Sequence, residues 1–150
     1  QTAFNTGIHS RYTLPPYWVA EGLATLFEAP GVYNSRYYTN RSDRINRMRL
    51  ADFKQIVEPN HRPELITSLV ASDELFRTAT PIAYAESWAL AFYFMETQPQ
   101  KFARYLGRTA ERPMFTDYTA RQRVADFVAV FGDNWELIES HFLRFMDGID

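Results

Sequence analysis

Few residues in this chain have the type and position to do chemistry, and the first lies where a charge is least expected. Glu21 sits inside the run PPYWVAEGLATLFE (residues 15–28), which otherwise has the look of one apolar helix. A carboxylate in such a run needs a partner, whether a metal ion, an arginine or a loop amide. Glu28 follows seven positions later on the same helix face, with Thr25 one turn after Glu21. Two helical turns separate the two carboxylates by about 10 Å of rise, which is wide for either glycosidase geometry. Tyr84 heads the second notable run, IAYAESWALAFYF (residues 82–94), beside Glu86, Ser87 and Trp88. By residue type alone it reads as a packing tyrosine whose hydroxyl finds a partner. The histidines, His9, His61 and His141, are scattered, and none belongs to an HExxH pair.

Other catalytic signatures are missing. There is no phosphate-binding glycine loop, no GxGxxG, no GxSxG elbow and no EF-hand spacing. With no cysteine, the chain has neither disulfides nor a thiolate metal site, and its compartment stays open. A net charge of −2 argues against a nucleic-acid footprint, which shows as a basic patch. No apolar run approaches the roughly 20 residues of a membrane span. At 150 residues, 46% hydrophobic and 23% charged, the composition is that of one globular domain with a sizeable core.

The elements that must position these residues are helices. Proline at 16 suits a first turn, and Pro30-Gly31 stops the helix that carries Glu21. Residues 32–40, VYNSRYYTN, read as a loop or short edge strand. Ser42 or Asp43 is a candidate cap for a helix reaching about Val57. A short helix spans about Glu64–Ala71, and residues 82–97 form a helix apolar almost all round, hence central. Pro99 opens a helix to about Leu106, residues 109–118 are loop-like, and two amphipathic helices end the chain. The expectation is a mostly α protein, residues 1–150 forming a single helical domain of six or seven helices.

WVAEGLATLFE resembles the third-ligand helix of the gluzincin zinc metallopeptidases, above all the WLNEGFAxYxE helix of the aminopeptidase and leukotriene-hydrolase branch. Trp18, Glu21, Gly22, Ala24 and Glu28 fall on that pattern. IAYAESWALAFYF is similar to the Y-x-K-G-x-A-L helix of the same enzymes, with Tyr84, Ala89 and Leu90 matching, 63 positions after Glu21. The opening QTAFNTG resembles the stretch that directly follows HExxH in an uncharacterised bacterial family of gluzincin-like domains.

The resemblance implies the helical lobe of a larger peptidase, truncated just after the HExxH helix. It implies Zn2+ in the intact parent, held by two upstream histidines and Glu21. An upstream glutamate would be the general base, Tyr84 the hydrogen-bond donor to the oxyanion, and a peptide or protein the substrate. Thr25, Glu28 and His9 become candidates near the metal or the substrate. Alone, such a chain is expected to be inactive, to bind zinc weakly at most, and to self-associate through an exposed lobe interface.

The chain also departs from the pattern. HExxH is not in it, Thr25 stands where several relatives carry an Asp, and Glu86-Ser87 replaces Lys-Gly. The alternative is a non-catalytic pseudo-peptidase or a helical protein-binding scaffold.

Overall fold

The computed structural model describes residues 15–113 and 116–150. Among them are nine α-helices and no strand. They are α1 (Tyr17–Leu26), α2 (Pro30–Tyr33), α3 (Arg47–Asp52), α4 (Leu65–Ala71), α5 (Leu75–Thr78), α6 (Thr80–Thr97), α7 (Pro99–Ala110), α8 (Ala120–Phe131) and α9 (Trp135–Asp147). The mostly α expectation is met. The two helices beyond the expected number are the single-turn elements α2 and α5, too short to leave a periodic signal.

Helix α6 is the axis of the fold. Ala83 and every residue from Ala85 to Phe94 are buried, as its all-round apolar sequence requires. Around it, Phe94 stacks on Phe131 with ring centroids 4.0 Å apart, Tyr93 meets Phe142 at 5.6 Å, and Trp88 stacks on Phe92 at 5.2 Å. Trp18 of α1 stacks on Tyr105 of α7 at 5.8 Å, and Tyr105 meets Phe131 at 5.7 Å, so α1 joins the same aromatic cluster.

The helix expected to begin at Ser42 or Asp43 begins later. Residues Arg41–Arg44 form a separate 3-10 turn, and Asn46 caps α3 by accepting from the Arg49 backbone N–H at 3.2 Å. Arg41 and Arg44 are held elsewhere. Both reach Glu96 near the end of α6, with Arg44 bidentate at 2.8 and 2.9 Å. Beyond Asp52 the chain widens into a π-helical turn over Phe53–Val57, which keeps Phe53 and Val57 in the core.

The contact that sets the arrangement of α1 and α6 is at Gly22. A Cβ there would lie 2.8 Å from the Ser87 carbonyl oxygen and 3.1 Å from the Ala91 Cβ. Glycine in mid-helix costs about 1 kcal/mol against alanine in an isolated helix. Here it is what permits two backbones to touch. Gly22→Ala should therefore destabilise the chain by about 1–3 kcal/mol in chemical denaturation, despite its better helix propensity. An unchanged or raised midpoint would mean the two helices can separate freely.

Candidate functional site

Because α1 and α6 run side by side from their N-terminal ends, Glu21 and Tyr84 come to one mouth. The Tyr84 ring packs edge-on against Phe76 at 5.3 Å, and Phe76 packs in turn against Tyr17 at 4.7 Å. The Tyr84 hydroxyl is pushed above its usual pKa, first by partial burial, then by the nearby Glu21 carboxylate and Tyr17. Arg49 acts in the opposite direction, with its guanidinium 5.3 Å from the Tyr84 ring centroid. The phenol stays protonated at neutral pH and is fit to donate a hydrogen bond.

Glu21 is half-buried rather than enclosed. Among the described residues its carboxylate accepts no hydrogen bond and forms no ion pair, so neither the arginine nor the loop-amide partner occurs there. Tyr17 and Ala24 continue the same exposed side of α1, while Glu28, expected on the same helix face, lies beyond the end of α1 at Leu26. No three His, Cys, Asp or Glu among the described residues converge to hold a metal. Glu21 fits a metal as a single open carboxylate donor, and the remaining donors would have to come from outside the described residues.

The other candidates fall differently. The Thr25 hydroxyl is buried and donates to its own helix, at 2.8 Å to the Glu21 carbonyl and 3.1 Å to that of Gly22. Glu28 is exposed and accepts from Asn46 Nδ2 at 2.8 Å, and the same nitrogen donates to the Thr25 carbonyl at 3.0 Å. His9 and the QTAFNTG stretch lie outside the described residues.

Two residues of the mouth were not found by sequence reasoning. Asn46 ties α1 to α3 with its amide nitrogen while its oxygen caps α3, and this brings Arg49 over Tyr84. An Asn before a helical stretch was the only signal for it. Arg49 gave none, since its neighbour Tyr84 is far away in sequence. A third anchor is Asp73, which accepts the Tyr17 backbone N–H at 3.0 Å and a bidentate pair from Arg123 at 2.8 and 3.2 Å. Burial alone would raise the Asp73 carboxyl, but Arg123 and the Tyr17 amide hold it below its ordinary value.

Two residues after Tyr84, the Glu86 side chain is fully buried with neither oxygen hydrogen-bonded among the described residues. Burial, helped by the charge of Glu139, pushes its pKa up to about 8. Glu139 itself is paired with His61 Nε2 at 2.7 Å. Glu86 is therefore neutral in the folded chain at pH 7 and ionised in the unfolded one. A raised folded-state pKa gives stability that is complete below about pH 4.5 and is lost as pH rises through about 8, by about 5 kcal/mol at most.

Glu86→Gln should flatten that part of the stability–pH curve and stabilise the chain at pH 8. An unchanged slope would mean that Glu86 is solvated in the fold. Glu21→Gln, at a half-open and unpaired position, should change stability by less than about 0.5 kcal/mol. A loss of several kcal/mol would reveal a hidden ion pair.

Residues 1–116 match the family described as Protein of unknown function (DUF1570), and the chain belongs to it. No curated protein and no solved structure matched the chain. Among the described residues no helix is long and apolar enough to cross a membrane.

Proposed function

We propose that this DUF1570 member is the helical part of a zinc-dependent peptidase of the HExxH…E type, with Glu21 as third metal ligand and Tyr84 as oxyanion donor. The observation that carries the reading is the juxtaposition of an unpaired, half-open carboxylate with a protonated phenol, from helices 63 positions apart in sequence. No ion pair or hydrogen bond among the described residues gives Glu21 a structural purpose.

Two histidine ligands and a glutamate general base would come from a helix preceding Gln1. A bound Zn2+ supplies Lewis-acid chemistry and lowers the pKa of water toward neutrality. Tyr84, clamped between Phe76 and Arg49, holds its hydroxyl where negative charge develops on a peptide carbonyl oxygen. Gly22 keeps α1 against α6, so Glu21 and Tyr84 stay in register. The exposed side of α1, with Tyr17 43% exposed, is where the other lobe of the peptidase would seat, or a second copy of this chain.

The test is zinc content and peptidase activity of the longer protein that includes the preceding helix. One zinc per chain is expected, lost together with activity in Glu21→Ala. Tyr84→Phe should lower kcat about a hundredfold while zinc content is unchanged. A well-folded longer protein without zinc would move the function to a binding or scaffold role. A Tyr84→Phe kcat within about twofold of the parent would make Tyr84 a packing residue.

A further inference from the structure

We infer that Arg49 is the residue that selects the substrate, and that the mouth takes peptides carrying a carboxylate beside the scissile amide. The inference rests on the peptidase reading above and names the substrate class of that same site.

Arg49 sits in the mouth with its guanidinium carbon 5.3 Å from the Tyr84 ring centroid. Among the described residues its side chain makes no hydrogen bond, and its Nε is buried without a partner. Among the described residues its ion pair is with Asp52 on the next turn of α3, 3.6 Å from Nη1. At that distance the contact is electrostatic and not a hydrogen bond. Asp52 is itself 36% exposed, where an i,i+3 pair contributes little.

The other arginines near these helices are differently placed. Arg44 is bidentate on Glu96 and Arg123 is bidentate on Asp73. Arg49 is held in position, by the Asn46 cap and the Tyr84 ring, while its donors are left unused. An arginine fixed with spare donors is suited to a carboxylate, which accepts two parallel N–H bonds from the planar fork.

A carboxylate seated on the guanidinium would lie beside the Tyr84 ring, whose centroid is 5.3 Å from the guanidinium carbon. The carboxylate has two chemical sources: the free C-terminus of a short peptide, or an acidic side chain flanking the scissile bond.

The experiment uses this chain as it is, without metal. Three ligands are titrated by NMR: N-acetyl-dialanine, its C-terminal amide, and N-acetyl-aspartyl-alanine amide. The signals followed are the Arg49 Nε–H and the Tyr84 ring. The expected result is that at least one carboxylate ligand shifts both signals and binds about tenfold or more tightly than the neutral amide. Preference for N-acetyl-dialanine assigns the terminal carboxylate, and preference for the aspartyl amide assigns the side chain.

Arg49→Gln should erase the preference. Arg49→Lys, which keeps the charge but not the fork, should retain part of it and serves if the Gln variant does not fold. Equal binding of acid and amide, no binding of either acid, or a preference that survives Arg49→Gln in a folded variant would each overturn the inference. Zinc plays no part in this measurement, so its outcome and that of the zinc test are read separately.

Discussion

Helices α1 and α6 meet backbone to backbone at Gly22, where even a methyl group would collide with the Ser87 carbonyl. Much else follows from that closeness. It requires a small residue at Gly22 and at Ala91, and at Ser87 a side chain that turns away and bonds the Ala83 carbonyl, here at 2.6 Å. It lets Trp18 on the neighbouring face of α1 reach the aromatic stack on α7. It also puts the first turns of both helices at one end, which is why a glutamate and a tyrosine distant in sequence share a mouth.

The mouth is braced by polar contacts as well as by the aromatic packing of Tyr17, Phe76 and Tyr84. Asp73 takes the first amide of α1 and joins it to Arg123 on α8. Asn46 spans α1 and α3, satisfying the Thr25 carbonyl and Glu28 with one nitrogen. Arg49 then closes over the Tyr84 ring. Asp73 and Asn46 use their side-chain hydrogen-bonding groups on neighbouring elements, whereas among the described residues the Glu21 and Arg49 side chains make no hydrogen bond.

Glu86 shows a different compromise. A carboxyl buried without hydrogen bonds can persist only in its neutral form, because ionisation would leave a charge with no solvation. Its position in α6 faces the paired His61 and Glu139 side of the fold rather than the Glu21 mouth, as the influence of Glu139 indicates. The two acids of these adjacent helices thus have separate environments: one half-open and unpaired, the other sealed and protonated.

Sequence by itself determined the helical class, the central helix and the helix start at Pro99, because periodicity and proline act locally, whereas Pro30, expected to stop α1, opens α2 after α1 has already ended at Leu26. It also singled out Glu21 and Tyr84, since a charge and a hydroxyl in apolar runs are conspicuous without any structure. The start of α3 was misplaced because Ser42, Asp43 and Asn46 are all acceptable caps by type. Arg44, drawn to Glu96 52 positions away, leaves the 3-10 turn separate and Asn46 as the cap of α3. Only the tertiary structure decided that Glu21 is half-open, that Thr25 turns inward, that Glu86 is sealed, and that Arg49 covers Tyr84. Those facts depend on which helix faces press together. A one-dimensional pattern records that a face is apolar, not which other face will cover it.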